Sequence, residues 1–308
     1  MPTQKPQTIT PAVWAMLLAL SLLWGGSFPS YRQLALEHLP PTVTVAVRLV
    51  LGAAFVIVLF AVQGTDLRIA RRDWPRLLLF ALGNNILPYL LFAWAEQRIS
   101  GGTAAILNAM TPIFTLLVTG LVLRTERFTP NRILGIGCGF LGVAILVGPA
   151  ALVGQDVWGQ LACLAAAICY GFALPFGRTL GHLGPRRLAV GQLVAASVMA
   201  VPLMLLFDPP STWPALDRYG LIAVLTLGLL ATGLAFVLFF RILEQAGATN
   251  LSLVTFLVPV SAIIFGAVLL SEPIGLHALA GMATIGVGLA CIDGRLLRLA
   301  RRRSVEAA

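Results

Sequence analysis

Glu96-Gln97-Arg98-Ile99-Ser100-Gly101-Gly102-Thr103 opens a stretch that continues through Pro112 and Glu126 to Gly135 and Gly142. Glu244-Gln245-Ala246-Gly247-Ala248-Thr249-Asn250 opens a second, which continues through Pro259 and Glu272 to Gly281 and Gly288. Glutamate to proline spans 16 residues in the first and 15 in the second, and proline to glutamate spans 14 and 13. The next glycine follows nine residues on in both, and the last glycine seven beyond it. In each copy the reading is a small-residue turn, then an apolar helix interrupted by proline and closed by glutamate, then a glycine-spaced apolar helix. Such a match marks two copies of one unit.

Working outward, the repeat offset stays close to 146 residues. Val13-Trp14 returns as Val157-Trp158, Pro29 as Pro175, Arg48 as Gln192, and Ala81-Leu82-Gly83 as Thr226-Leu227-Gly228. The chain has 308 residues, 58% of them hydrophobic and 11% charged. Soluble domains carry roughly a quarter charged residues, so this composition cannot clothe a water-facing surface and places the chain in a bilayer. Each crossing needs about 20 mostly apolar residues. Ten candidates fit: 12–31, 42–62, 75–94, 102–123, 132–149, 157–177, 187–207, 219–240, 248–270 and 276–294. Continuous apolar runs of this length in hydrocarbon mean helices. The expected fold is therefore an all-α integral membrane protein, with one five-helix unit at 12–149 and a second at 157–294. Residues 1–11 and 295–308 are the tails.

An even number of crossings puts both tails on one side. Assigning that side to the cytoplasm gives it 17 of the 21 Lys and Arg residues and leaves Arg32, Arg48, Arg98 and Arg218. That is the positive-inside distribution. It also accounts for the net charge of +9 without a nucleic-acid partner, since no basic stripe is present. An odd number of helices per unit inverts the second copy, and inverted repeats are the architecture of secondary transporters. The first apolar run reads as a retained helix rather than a signal peptide. Cys138, Cys163, Cys169 and Cys291 all lie in apolar runs and read as buried hydrophobes. No catalytic triad, metal cluster or phosphate loop is visible, so neither an enzyme nor a cofactor is expected.

The run Leu22-Leu23-Trp24-Gly25-Gly26-Ser27-Phe28-Pro29, with the doubled Pro112/Glu126 and Pro259/Glu272 segments, resembles EamA-type members of the drug/metabolite transporter superfamily. The resemblance covers nearly the whole chain. It implies a ten-helix bundle around a central cavity that exports or imports small metabolites. The second copy departs from the pattern at Ile168-Cys169-Tyr170-Gly171, so the halves are not expected to make identical contacts.

Polar side chains in hydrocarbon usually face the bundle or a wet cavity. Asn84, Asn85 and Tyr89 cluster around Pro88, whose ring removes an amide donor, and read as cavity lining or as interhelical hydrogen bonding. Asn108, Thr111 and Thr115 flank Pro112, and Ser252 and Thr255 precede Pro259. Trp24 and Phe28 share a face, with Tyr170 near the equivalent place in the sixth helix, as an aromatic wall or as packing. Arg48 lies about 10 Å into its helix by helical rise and either snorkels or holds an anionic group. The expected substrate site is thus Trp24, Phe28, Arg48, Asn84, Asn85, Tyr89, Asn108, Thr111, Tyr170, Ser252 and Thr255. Pro29, Pro112, Pro175 and Pro259 are the expected hinges.

Glu96, Glu126, Glu244 and Glu272 fall at helix ends and are expected to pair with Arg98, Arg127 and Arg241. With no acid in mid-span, proton coupling would have to use these glutamates or His277, and facilitated exchange stays equally open. The resulting expectation is an inner-membrane transporter, an exporter of amino acids or related amphipathic metabolites working by alternating access. Its partners are that substrate and membrane lipid, with a homodimer open. A polytopic lipid enzyme and a passive channel are the alternatives; the first lacks acid/base clusters, and the second has no need of two equivalent halves.

Overall fold

The computed structural model describes residues 10–125, 128–147 and 157–293. Among these residues it is helical with turns and no strands. The helices are α1 (Pro11–Leu36), α2 (Pro41–Val62), α3 (Arg71–Ala95) and α4 (Gly101–Val122). They continue as α5 (Pro130–Val147), α6 (Val157–Gly177) and α7 (Gly184–Phe207). Then come α8 (Arg218–Gly247), α9 (Val254–Leu270) and α10 (Leu276–Asp293). Six stretches of the described residues are long and apolar enough to cross a membrane: α1, α2, α3, α4, α8 and the 51-residue run Val157–Phe207, while α5, α9 and α10 are shorter. The long run is interrupted at Gly184, the first residue of α7, which takes a φ of 74° and is followed by Pro185. A left-handed residue followed by a proline ends one helix and begins another.

Local chemistry explains several boundaries. Thr10 caps α1, accepting from the Val13 amide at 3.3 Å, and Pro11 follows where no amide partner is needed. Ser100 caps α4 by accepting from the Thr103 amide at 3.2 Å, so the small-residue segment belongs to the first turn of a helix. Asp217 caps α8, accepting from Tyr219 at 2.6 Å and Gly220 at 3.0 Å. Two helices widen near their middles into π turns, Leu82–Ile86 in α3 and Thr226–Leu234 in α8. In α3 the widening falls just before Pro88, which has no amide to donate and crowds the preceding turn.

The packing has a two-fold pattern. Exchanging α1 with α6, α2 with α7, α3 with α8, α4 with α9 and α5 with α10 maps the main contacts between copies onto one another. Thus α1 packs on α9 and α6 on α4; α2 packs on α8 and α7 on α3; α2 packs on α7, and α5 on α10. The last pair is governed by the glycines that define the repeat. A Cβ on Gly135 would lie 2.6 Å from the Gly288 carbonyl oxygen, and one on Gly142 would lie 2.8 Å from that of Gly281. The lower-numbered glycine of one helix meets the higher-numbered glycine of the other, so α5 and α10 run antiparallel.

The connections gather into two groups. Arg187 reaches the Asp66 carboxylate at 2.9 Å, Arg186 donates to Thr65 at 3.0 Å, and His182 lies 3.1 Å from Asp73. Separately, Thr42 donates to the Asp208 carboxylate and the Asp217 amide to the Glu37 carboxylate. Loops assigned to one side by charge therefore touch each other, and loops assigned to the other side do likewise.

Candidate functional site

Arg48 of α2 meets side chains from α1, α3 and α8. It is 4% exposed, and Gly52, one turn along α2, lets α8 approach, because a Cβ there would collide with the Thr232 side chain. The Nε of Arg48 donates to Thr232 Oγ1 at 2.8 Å, and one terminal nitrogen donates to the Tyr31 hydroxyl at 2.8 Å. The Thr232 hydroxyl in turn donates to the Leu227 carbonyl at 2.8 Å, five residues back within the widened turn. Its hydrogen is thus committed, and its lone pair is presented to the guanidinium. The guanidinium carbon stands 3.9 Å from the Tyr89 ring centroid, a cation–π arrangement that contributes about 2 kcal/mol when desolvated.

These partners are neutral. Among the described residues no carboxylate lies within ion-pair distance of Arg48. A guanidinium carries five N–H donors, and the two bonds above leave three. Beside it, Asn85 is fully buried; its amide nitrogen makes a long contact of 3.5 Å to the Tyr89 hydroxyl, and its Oδ1 has no partner. The cluster therefore combines an uncompensated cation with an acceptor lacking a donor.

A related contact joins the partner elements. Asn84, half-buried in the π turn of α3, donates to Gln192 of α7 at 3.3 Å. Gln192 is the counterpart of Arg48 in the second copy. Each copy thus sends a polar side chain from its second helix into the widened third helix of the other.

An aromatic wall lies alongside. Phe28 meets Phe92 edge-on at 5.7 Å, and Phe92 stacks on Tyr170 at 6.4 Å. Trp24 goes elsewhere: α1 turns at Gly26, and Trp24 packs on Phe239 at 5.7 Å. Trp24 and Phe28 thus meet aromatic rings of different helices, Phe239 of α8 and Phe92 of α3. Asn108 and Thr111 bond to each other at 3.3 Å, and Thr255 bonds to the Ser252 carbonyl at 2.7 Å. These bonds stay within their own turns, and none reaches the Arg48 cluster.

The prolines differ among themselves. Pro112 restarts α4 after a break at Ala109-Met110, whereas α9 stays helical through Pro259 and α6 through Pro175. Pro29 is buried in the second part of α1.

The cluster is packed shut, with Asn85, Arg48 and Tyr89 at 0%, 4% and 7% exposure. Two expectations need correction. Glu96 does not pair with Arg98: its carboxylate oxygens are buried without a hydrogen-bond partner, and Arg98 stacks on Trp94. Glu244 and Arg241 are exposed and form no ion pair with each other. The expected Glu126–Arg127 pair lies outside the described residues. Glu272 instead accepts from the Gly101 amide at 3.2 Å.

Sequence reading missed Tyr31 and Thr232. Tyr31 sits one turn beyond Phe28 on the same helix, a spacing that could have pointed to it. Thr232 is a lone hydroxyl in an apolar run, and only the geometry of the π turn reveals its role.

Comparison with known proteins adds the wider context. A model of the "EamA-like transporter family" matches residues 11–148 and again 157–292. An "Uncharacterized transporter YoaV" of Bacillus subtilis is 25% identical over 278 residues, covering 89% of this chain and 94% of that protein. A "Probable terminal-alkyne amino-acid exporter" of Streptantibioticus cattleyicolor is 26% identical over 304 residues, covering 97% and 98%. A crystal structure shares the fold with a TM-score of 0.64 at 21% identity, covering 91% of this chain and 96% of the other.

Proposed function

The chain belongs to the EamA-like transporter family, a multi-pass membrane protein by its apolar helices, and from that premise we propose that it exports small zwitterionic metabolites of the amino-acid class. The observation that carries this reading is that Arg48 and Asn85 both pack on Tyr89, one with free donors and the other with an unpartnered acceptor. A carboxylate brought within about 4 Å of the guanidinium gains roughly 4 kcal/mol at an effective dielectric of about 20, and three donors are free to receive it. The substrate ammonium would supply the donor that Asn85 Oδ1 lacks. A modest apolar side chain would lie against Phe28, Phe92 and Tyr170. The name of the Streptantibioticus relative agrees with this substrate class.

The transport cycle we propose is alternating access between two inverted five-helix units, with ten crossings in the inner membrane and both termini in the cytoplasm. The antiparallel glycine pairing of α5 with α10 supports the inversion, as do the twinned contacts of the other helices. The closed packing around Arg48 fits an occluded stage, from which a central cavity opens to one side at a time. Pro112, where α4 is already broken, is the strongest of the four hinge candidates. Trp24, Asn84, Asn108, Thr111, Ser252 and Thr255 stay in the proposal as residues that line the path on opening. A homodimer is compatible with this scheme and is not required by it.

Counterflow in proteoliposomes tests the substrate class. Labelled neutral amino acids should exchange, unlabelled amino acids should compete, and their methyl esters, which lack the carboxylate, should not. Esters that compete as well as the free acids would remove Arg48 from substrate recognition.

A further inference from the structure

We infer that Glu96 is a proton-binding site gating the end of the bundle at which it lies, with the closed packing holding one proton that opening releases. The inference rests on the transporter reading, but its test needs no substrate.

The geometry starts at Gly101, the first residue of α4. A Cβ there would lie 3.2 Å from Glu96 Oε2 and 3.0 Å from the backbone carbonyl carbon of Phe28. The Gly101 amide donates to Glu272 Oε1 at 3.2 Å. Elements α1, α3, α4 and the connection after α9 therefore converge on one residue, where a side chain would be tightly crowded. Two carboxyl groups meet at that point in different ways. Glu272 takes the amide at the start of α4, where a helix offers donors and positive potential. Glu96 is 0% exposed and has no donor to either oxygen.

The charged and titratable groups facing Glu96 are Arg32 from α1, Arg48 from α2, Cys163 from α6, and Glu272. Arg32 could have neutralised the carboxylate, yet its Nη1 donates to the Glu96 backbone carbonyl at 2.7 Å. An ionised carboxylate buried without hydrogen bonds is costly, and a protonated one is far less so. Burial, reinforced by the Glu272 carboxylate, pushes the Glu96 carboxyl well above the ordinary range, with Arg32 and Arg48 opposing. Its counterpart in the second copy, Glu244, is exposed. The same repeat position thus presents a buried carboxyl at one end of the bundle and a solvated one at the other. These are the two environments between which a gate carboxyl would exchange.

The sign follows from linkage. The closed form binds the proton more tightly, so acid favours closure and alkali favours opening. A proton taken up on closing and released on opening couples the cycle to pH.

The test uses the full chain in lipid nanodiscs, with spin labels on cysteines introduced by Gln97→Cys and Ile274→Cys. Both positions are exposed and lie on loops that meet through Gly101 and Glu272. Cys138, Cys169 and Cys291 are replaced by alanine, and the buried Cys163 is kept. Pulsed dipolar distances are recorded from about pH 5 to about pH 9, a range wide enough to follow a strongly shifted carboxyl. A single short distance at low pH should give way to a longer population as pH rises. Glu96→Gln should stay closed throughout, with an open population at high pH about tenfold smaller. Glu272→Gln should move the transition to lower pH.

A pH-independent distance in the parent protein overturns the inference. So does a transition that survives in Glu96→Gln, which would place the titrating group elsewhere. Failure of Glu96→Gln to fold also overturns it, because the amide is the isostere of the protonated acid. A titrating gate combined with a failed amino-acid screen would defeat only the substrate reading, and the converse would defeat only the gate.

Discussion

Arg48 donates from its Nε to Thr232 at 2.8 Å across 184 positions of sequence, joining the second helix of one copy to the widened third helix of the other. The bond depends on the planar fork of the guanidinium, which lysine cannot imitate. Arg48→Lys should keep the charge but leave Thr232 and Tyr31 without their shared donor. Amino-acid affinity should fall by about 10- to 100-fold, corresponding to the roughly 1–3 kcal/mol of an unpaired buried partner. Binding calorimetry on the detergent-purified variant measures it. An affinity within a factor of about two would mean that charge alone suffices there.

Asn85 offers a sharper test, because a buried amide that merely joined helices would have its oxygen paired. Its Oδ1 is unpartnered. Asn85→Leu keeps a similar volume and removes a polar group that gains little from the closed protein. Thermal stability should be unchanged or slightly raised, and substrate binding should weaken by about 1–3 kcal/mol. Lost stability with intact affinity would return Asn85 to a purely structural role.

The glycine seam predicts a position-specific pattern along α5. A Cβ at Gly142 would press on the Gly281 carbonyl oxygen at 2.8 Å, whereas one at Gly137 meets nothing within 4 Å. Gly142→Ala should destabilise the protein by about 1–3 kcal/mol, the usual cost of overpacking. Gly137→Ala should be neutral or slightly stabilising, as a better helix former in open space. Melting curves of the two variants in one detergent decide it, and equal shifts would disprove the seam.

The two loop groups give a prediction about sidedness. Single cysteines at Asp66 and Arg187 should react alike with a membrane-impermeant maleimide in intact cells, and those at Glu37 and Asp208 should react alike and oppositely. With cytoplasmic termini the second pair is the labelled one. Labelling of the first pair would invert the assignment, and labelling of one member from each group would break the grouping itself.

Much of the architecture was legible in the sequence because hydrocarbon enforces it. Helices must be long and apolar, and the ends at Val62, Gly177 and Phe207 coincide with the boundaries read from sequence. The spacing of Gly135, Gly142, Gly281 and Gly288 revealed the repeat, and the fold then packs those same glycines together. Arg48, Asn85 and Tyr89 stood out because polarity in an apolar run is conspicuous. What stayed hidden depends on which residues meet across the bundle. Glu96 at a helix end looks like a partner for Arg98 until α1, α4 and Glu272 close over it. Thr232 looks like an ordinary tolerated hydroxyl until α8 widens and turns it toward Arg48.

The wide turns in α3 and α8 also work as register adjusters. In each, an amide reaches back five residues, Leu87 to Leu82 and Ala235 to Leu230, so a π turn accommodates one more residue than an α turn. One residue of an α-helix corresponds to about 100° of rotation. The wide turn absorbs that rotation locally, so residues on both sides of Leu82–Ile86 keep their faces and Tyr89 stays against the guanidinium. The extra residue is therefore spent inside the turn itself, where it sets the directions of Asn84 and Asn85 while the rest of α3 packs as a regular helix.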